Sequence, residues 1–507
     1  MTSSTVIRSM FQWLAACWLL MPLLATAQQT PEFNGATSTW HDGFVRYDFI
    51  MDDSTLTVTP FKAPEGERFG IGEPPKGKHR CIVVAPATPA PGHPWSWQGC
   101  YWDHQPQTEV ALLHRGFYIC YISAGAGLPP GKHWDAWYQY LTAHGLSSKP
   151  CFIGMSRGGQ FEYTWATEHP DKVSCIYADN PAVTNEALMK LGDLARNNVP
   201  LIHVCGSFDP LFQIATEPIE RIYQSFGGRI SIMIKEGFGH HPHSLRNPKP
   251  LADFIEQSVK ETIAPTPDFV PAGFTRSYYY GNADTYRYYP DEGAYITTRG
   301  PWFSSCFAKY IFQLQGVESF VTVLAPQQPA AGNPWIFRAG YVKQNAVVDQ
   351  ALLEKGYYIV VGAVPYNEDG PVLAQWNVIY QHFTSHGFAA RPVIQGEGGA
   401  AGEAIAWAVS NPEKVSCIYA ENPVFTSKVM ITTPLLNDLS PLAKAHVPVL
   451  LVSGAADPDY TTQTLAAQKA YRALGGHISV ITEKNEGHYL QQHDVPAAVG
   501  FVLANSK

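Results

Sequence analysis

The sequence predicts an α/β protein with two domains, each a mostly parallel sheet covered by helices on both faces. Three observations predict this fold class. Short apolar, strand-like runs alternate with helix-like segments along most of the chain. The same succession of motifs returns after about 240 residues, and one strand-like run ends at a serine flanked by glycines. A chain of 507 residues also exceeds one ordinary hydrophobic core, so at least two domains are expected.

The composition is that of a globular protein, with 45% hydrophobic and 15% charged residues. The formal net charge of -8 does not provide the basic surface that nucleic acid requires, so no nucleic-acid partner is predicted. The sequence leaves the oligomeric state open.

Residues 1–27 are predicted to be a secretory signal peptide. Arg8 precedes the largely apolar run Met10–Leu24, and Ala25-Thr26-Ala27 forms an A-x-A cleavage signal. A membrane anchor is the less favoured alternative, because the run is short and Pro22 interrupts it. We therefore expect a secreted or periplasmic mature chain without a membrane span.

The cysteines predict little chemistry. Cys17 ends a lipoprotein-like box, Leu14–Cys17, but apolar residues continue beyond it, so lipidation is the minor alternative. Of the eight that follow, Cys100 and Cys306 are less clearly placed, which leaves one disulfide open. None has CxxC metal spacing. The other six lie in or beside strand-like runs, where cysteine is mostly a small buried hydrophobe: Cys81, Cys120, Cys151, Cys175, Cys205 and Cys417.

An internal repeat sets the domain organisation. SCIYADNP at Ser174–Pro181 returns as SCIYAENP at Ser416–Pro423, and VVAPATPAPGHPW at 83–95 returns as VLAPQQPAAGNPW at 323–335. This separation is far longer than a solenoid period and indicates a duplicated domain. The proline-rich segment near residue 270 marks the boundary. The predicted division is signal peptide 1–27, first domain 28–263, linker 264–277 and second domain 278–507.

The first copy is expected to begin with an antiparallel hairpin over Phe44–Pro60. The parallel strands after it should end at one edge of the sheet, where ligands gather in such folds. Six runs have the apolar character of buried parallel strands: Arg80–Pro86, Phe117–Ser123, Pro150–Gly154, Val173–Ala178, Pro200–Gly206 and Arg229–Lys235.

Strand ends carry the candidate chemistry. Gly154-Met155-Ser156-Arg157-Gly158 fits the G-x-S-x-G nucleophile elbow, in which the serine occupies a strained strand-to-helix turn. Asp209 follows the fifth predicted strand in a G-x-x-D-P loop, and His240 follows the sixth in a Gly-His pair. The chain order Ser, Asp, His is that of the α/β-hydrolases, and both halves of the mature chain resemble α/β-hydrolase domains.

The roles follow from the geometry that this fold would impose. Ser156 is the candidate nucleophile, and His240 the base that it needs within hydrogen-bond reach. Asp209 would orient the imidazole and stabilise its charged form. The peptide NH of Arg157 would be one oxyanion-hole donor, and the proline-rich segment Ala87–Trp97 should supply another, for which Trp97 or a neighbouring residue is the candidate.

Each assignment has an alternative. Asp209 would also suit the cap of a helix beginning at the next residue, and Asp179, at another strand end, would also serve as the acid. His241 and His243 could be metal ligands, but their loop lacks helical or finger spacing, so no metal and no other cofactor is predicted. The side chain of Arg157 is either solvated or, since the Ser-Arg-x-Gly pattern resembles that of glucuronoyl esterases, helps to hold the oxyanion.

The second copy lacks the nucleophile. When the Asn-Pro pairs are aligned, Ser156 corresponds to Gly398 and Arg157 to Gly399, whereas Asp457 and His488 preserve the acid and base. We therefore expect a degenerate hydrolase-like domain that braces the first, shapes its cleft or binds part of a polymer. A group of tyrosines near its start would stack on sugars or, more usually, pack a domain interface: Tyr278, Tyr279, Tyr280, Tyr286, Tyr288 and Tyr289.

These features predict a secreted serine esterase that hydrolyses carboxylic esters through an acyl-serine intermediate. Residues 182–199 leave no room for a large lid, and an open site suits a bulky or polymeric substrate unless the second domain supplies the cover. The resemblance to secreted α/β-hydrolases, which often remove acyl groups from plant or algal polysaccharides, implies that acyl groups on carbohydrates are the substrates. A peptidase resembling prolyl oligopeptidases is an alternative, although no propeller-like repeats precede the elbow. A non-catalytic glycan-binding protein is another.

Overall fold

The structure is a computed structural model that describes most of the chain. The predicted signal peptide and Cys17 lie outside the described residues. Those residues are 31–62, 76–123, 130–263, 265–280, 284–303, 305–343, 346–362, 366–367, 370–371, 373–425, 438–491 and 494–506.

The first half alternates strands and helices, as predicted. Its strands are β1 (Ala36–Trp40), β2 (Phe44–Asp52), β3 (Val58–Pro60), β4 (Lys78–Ala85), β5 (Trp95–Gln98), β6 (Tyr118–Ile122), β7 (Cys151–Met155), β8 (Cys175–Asp179), β9 (Leu201–Gly206) and β10 (Ile230–Lys235). Its helices are α1 (Gln107–His114), α2 (Lys132–Ala143), α3 (Arg157–Glu168), α4 (Asn185–Met189), α5 (Leu191–Arg196), α6 (Glu217–Ser225) and α7 (Lys249–Ile263).

The second half follows the same succession. Its strands are β11 (Thr275–Tyr280), β12 (Thr285–Tyr289), β13 (Ala294–Arg299), β14 (Cys306–Gln313), β15 (Phe320–Ala325), β16 (Trp335–Ala339), β17 (Tyr358–Gly362), β18 (Tyr366–Asn367), β19 (Gly370–Pro371), β20 (Val393–Glu397), β21 (Cys417–Glu421), β22 (Val449–Gly454) and β23 (Ile478–Glu483). Its helices are α8 (Val347–Glu354), α9 (Leu373–Ser385), α10 (Gly398–Ser410), α11 (Ser440–Lys444), α12 (Ala466–Ala473) and α13 (Val495–Asn505).

The first sheet has the strand order β1-β2-β4-β6-β5-β7-β8-β9-β10-β13-β12, and β3 pairs with β2. All six predicted strands of the first copy are present, and β2 and β3 form the predicted leading hairpin. The expectation that all six strands are parallel is wrong for β4, which pairs antiparallel with β2 and with β6. The parallel strand β7 is buried along its whole length, which explains its continuous apolar run.

The second sheet has the order β11-β14-β15-β17-β16-β20-β21-β22-β23. Both orders contain the same exchange, since β6 precedes β5 in the first sheet and β17 precedes β16 in the second. From β16 onward the second sheet is parallel, whereas β14 and β15 are antiparallel. Two hydrophobic clusters flank this sheet, one containing α8 and α13 and the other containing α9 to α12. The predicted fold class, α/β with two sheets and helices on both faces, is confirmed.

Contact density divides the chain into two compact units. The first comprises the described residues up to 190 together with 203–216 and 238–262, and the second comprises 191–202, 217–237 and the remainder. Strand β13, which follows the predicted linker, pairs antiparallel with β10, with Ile232 opposite Arg299. The domain limits 28–263, 264–277 and 278–507 stay a prediction.

All eight cysteines that follow the predicted signal peptide are free thiols. Six of them are buried, as expected for small hydrophobic residues, while Cys100 and Cys306 are partly exposed. Within the described ranges, no helix has the length and hydropathy needed to cross a bilayer.

Candidate active site

The predicted elbow is a sharp turn between β7 and α3. Ser156 has φ 51° and ψ -115°, a left-handed conformation that is strained for any residue with a Cβ atom. Its NH donates to the carbonyl of Asp179 at 2.9 Å, which ties the turn to the neighbouring strand β8. This hydrogen bond helps to hold the serine in its strained conformation at the C-terminal end of β7.

Gly154 and Gly159 make room for this turn, whereas the predicted motif contains Gly154 and Gly158. A Cβ atom on Gly154 would lie 2.2 Å from Glu162 Oε2, and a Cβ atom on Gly159 would lie 2.5 Å from the Cβ of Pro181. At Gly158 the nearest atom, the Cβ of Cys100, would be 3.6 Å away, an ordinary contact. The crowded positions are thus Gly154 and Gly159, because the chain packs against Pro181 one residue later than the motif implies.

The structure brings Ser156, Asp209 and His240 together in the first unit. Nε2 of His240 lies 3.0 Å from Oγ of Ser156, and Nδ1 of the same ring lies 2.7 Å from Oδ2 of Asp209. Asp209 is 3% exposed. Its other oxygen, Oδ1, accepts from the NH of Leu211 at 3.0 Å, so the carboxylate caps the following turn as well as facing the imidazole.

Gly206 and Asn180 hold the histidine loop in place. A Cβ atom on Gly206 would lie 2.1 Å from the carbonyl oxygen of Gly239, so only glycine allows the two loops to approach. Asn180 donates from Nδ2 to the carbonyl of His240 at 3.0 Å and accepts from the NH of Gly206 at 3.0 Å. The sequence marked Asn180 only as a repeated Asn-Pro pair, so this positioning role was missed.

Asp179 does not contact the ring of His240. It is fully buried, and its Oδ1 lies 2.7 Å from Nδ1 of His243. Its Oδ2 accepts from the NH of Ser244 at 2.7 Å and from the hydroxyl of Tyr177 at 3.1 Å. This carboxylate therefore anchors the segment after His240, and Asp209 is the one that faces the His240 imidazole.

The prediction that Trp97 supplies an oxyanion-hole donor is wrong. Trp97 lies inside β5, in register with Cys120 on one side and Phe152 on the other, and its fully buried ring stacks on Trp134. The sequence reading treated residues 87–97 as a loop because β5 is only four residues long and follows several prolines. The turn from that strand begins at Gly99.

The loop between β5 and α1 reaches the elbow instead. The Cβ of Cys100 in this loop would lie 3.6 Å from a Cβ atom built on Gly158. Three further loop residues have positive φ, Tyr101 at 55°, Asp103 at 63° and Gln105 at 50°, which marks a tightly held conformation. The side chain of Arg157 is exposed and makes no hydrogen bond or ion pair within the described part of the chain.

The second unit repeats the arrangement without the hydroxyl group. Gly398 has φ 52°, close to the value for Ser156, and a Cβ atom there would lie 3.5 Å from Nε2 of His488. Nδ1 of His488 lies 3.2 Å from Oδ2 of Asp457. A cavity of about 500 Å³ includes Gly398 and His488. The elbow conformation is thus preserved where the predicted nucleophile is absent.

Replacing Ser156 with glycine is expected to stabilise the fold relative to replacing it with alanine. Both variants lose the contact between Oγ and His240, but only alanine retains a Cβ atom at φ 51°. Relief of the strain outweighs the extra freedom of glycine in the unfolded chain, so Ser156→Gly should be about 1 kcal/mol more stable than Ser156→Ala. Equilibrium urea unfolding of both variants measures this difference; equal midpoints and slopes would show that the relief of strain does not exceed the cost of the extra freedom of glycine.

No family model and no curated protein matches this chain. Solved structures do resemble it. Est1E from Butyrivibrio proteoclasticus is 13% identical with a TM-score of 0.30, over 39% of this chain and 98% of that one. The S-formylglutathione hydrolase from Agrobacterium tumefaciens is 15% identical with a TM-score of 0.29, over 38% and 91%. Porphyromonas gingivalis dipeptidyl peptidase 4 is 14% identical with a TM-score of 0.32, over 39% and 35%. These scores are too low to transfer an activity or a substrate.

Proposed function

We propose that this protein is a serine hydrolase that cleaves carboxylic esters, with Ser156, His240 and Asp209 as its catalytic residues. One observation carries the proposal. A single imidazole lies within hydrogen-bond distance of a serine hydroxyl on one side and a buried carboxylate on the other. A serine hydroxyl needs such a base to act as a nucleophile at neutral pH.

The chemistry follows from these distances. Nε2 of His240 takes the proton from Oγ of Ser156 as the oxygen attacks the ester carbonyl carbon. Asp209 accepts from Nδ1 and stabilises the imidazolium, which then gives its proton to the departing alcohol as the carbon–oxygen bond breaks. A water molecule, deprotonated by the same histidine, then releases the acid and restores the serine.

Backbone donors at the elbow would stabilise the oxyanion. The NH of Arg157 is at the start of α3, directly after the serine, where helix geometry leaves it without an intrahelical acceptor. In place of Trp97, we assign the second donor to the NH of Cys100, because its loop lies against Gly158. Loss of one such donor typically costs about 3 kcal/mol of transition-state stabilisation.

Acyl groups on carbohydrates are the proposed substrates. Phe208 is 76% exposed beside Asp209, which offers an apolar surface next to the reacting groups. The second unit carries a separate aromatic surface on β12 and β13, where the rings of Tyr286 and Tyr295 stack at 4.9 Å and Tyr288 lies 5.3 Å from Tyr295. All three tyrosines are about half exposed or more, as expected for rings that stack on sugars.

The second half is proposed to be a degenerate copy that arose by tandem duplication. Both sheets share the exchanged strand pair, and both elbows share a positive φ. Asn422 makes the same two kinds of hydrogen bond as Asn180: it donates to the carbonyl of His488 at 2.6 Å and accepts from the NH of Gly454 at 3.0 Å. Without a hydroxyl at Gly398 this copy would bind a ligand and leave it intact. Secretion through the signal peptide 1–27 is part of the same proposal.

Acid release from a panel of substrates tests the proposal. The purified mature chain should release acid from acylated polysaccharides such as acetylated xylan, and it should leave a peptide anilide intact. Ser156→Ala, tested on the same panel, measures the background. Cleavage of the anilide without ester hydrolysis would favour a peptidase, and an equal response of both proteins to every substrate would favour a binding protein.

A further inference from the structure

Three histidines outside the Ser156–His240–Asp209 set form a cluster beside it. One ring nitrogen from each of His104, His241 and His243 lies within 4.8 Å of the other two. Two of the residues follow His240 on one loop, and His104 comes from the loop after β5. The sequence predicted no metal because the loop with His241 and His243 lacks metal-ligand spacing. Spacing within one loop cannot reveal a ligand that comes from another part of the chain.

His243 is held as a metal ligand would be. Its Nδ1 lies 2.7 Å from the fully buried carboxylate of Asp179, so that nitrogen carries the proton and Nε2 is left with a lone pair. A carboxylate that fixes a histidine in this way is the usual outer partner of a metal-binding imidazole. His240 is not available as a ligand, because both of its ring nitrogens face other groups.

The loop after β5 places His104 opposite the other two rings. Oε1 of Gln105 accepts from the NH of His243 at 2.7 Å, and Trp102 is 4% exposed, so the loop is fastened on both sides of His104. Imidazole nitrogens are good ligands for transition-metal cations.

We propose that His104, His241 and His243 bind one divalent transition-metal cation, with Zn²⁺ favoured over Mg²⁺ and Ca²⁺ and a fourth position open to water or substrate. Three imidazoles and one open position make a common zinc arrangement, whereas Mg²⁺ and Ca²⁺ need oxygen ligands. Zinc bonds of about 2.0–2.1 Å place tetrahedral nitrogens about 3.4 Å apart, so the ring nitrogens, which lie within 4.8 Å of one another, must approach by up to about 1.4 Å. His241 is exposed and free to make this adjustment.

Zinc binding to the untagged full mature chain, stripped with a chelator, tests the proposal. Isothermal titration with ZnCl₂ should give one site per chain, and Co²⁺ should give the visible absorption of a tetrahedral complex. Because neither side chain belongs to the core, His104→Ala and His241→Ala should remain folded, and each should weaken Zn²⁺ binding by about 100-fold. Asp179→Asn should weaken it by about 10- to 100-fold.

Two control variants separate this site from other histidines. His144→Ala removes an imidazole that stacks on Phe33, and His488→Ala removes the histidine of a second cluster with Asp457 and Asp459. Both should bind Zn²⁺ as the wild type does. Absence of saturable binding below roughly 100 μM, or wild-type affinity in both His104→Ala and His241→Ala, would overturn the proposal.

Discussion

Ser156→Ala is expected to lose at least about 10⁴-fold in kcat for p-nitrophenyl acetate. The substitution removes the hydroxyl that lies 3.0 Å from Nε2 of His240, and the acyl-serine intermediate can no longer form. The KM should change little, because the rest of the site is preserved. Initial rates over a range of substrate concentrations, measured on freshly purified protein, give both constants.

The second unit supplies the matched control for this experiment. Gly398→Ala alters the equivalent elbow, whose φ of 52° imposes the same strain on a Cβ atom, but leaves Ser156 intact. It should retain the wild-type kcat. A comparable loss in both variants would indicate that the activity depends on general stability, and wild-type activity in Ser156→Ala would refute the role of the serine.

The second large effect concerns the two buried carboxylates. Asp209→Asn should lower kcat by roughly 10³- to 10⁴-fold with little loss of stability, because the amide no longer fixes the tautomer that leaves Nε2 of His240 free to accept a proton. Asn at this position can still accept from the NH of Leu211 through its carbonyl oxygen, which preserves the cap. Activity assays and urea unfolding of the same preparation separate the two quantities.

Asp179→Asn should show the reverse pattern. Its carboxylate accepts from His243, Ser244 and Tyr177 in the interior, so the amide should cost about 3 kcal/mol of unfolding free energy. The folded fraction should retain most of its kcat, since Asp179 does not contact the His240 ring. If Asp179→Asn were instead the variant that loses kcat without losing stability, the assignment of the acid would have to be exchanged.

The strands and the candidate site could be predicted from sequence because their signals are local. Ser156 is identified by the glycines beside it, and Asp209 and His240 each follow an apolar strand within a few residues. Parallel strands bring these three ends to one edge of a sheet, so chain order was enough to group them. The repeat also identified the empty elbow at Gly398.

The remaining features depend on strand order, which no local signal reveals. Trp97 was placed in a loop because β5 is short, and this strand lies between β6 and β7 rather than beside β4, the strand that precedes it in sequence. That placement carries Cys100 to the elbow and His104 to the histidine loop. The same limit applies to Gly159, whose crowding comes from Pro181 on another loop.

Fluorophosphonate labelling of the mature protein tests the central claim most directly, because the reagent reacts with a serine only when a neighbouring base activates it. Peptide mass spectrometry after labelling should find a single adduct, on Ser156, and none in Ser156→Ala. Failure of the folded wild type to react, or an adduct on any other serine, would contradict the claim that Ser156 is the nucleophile.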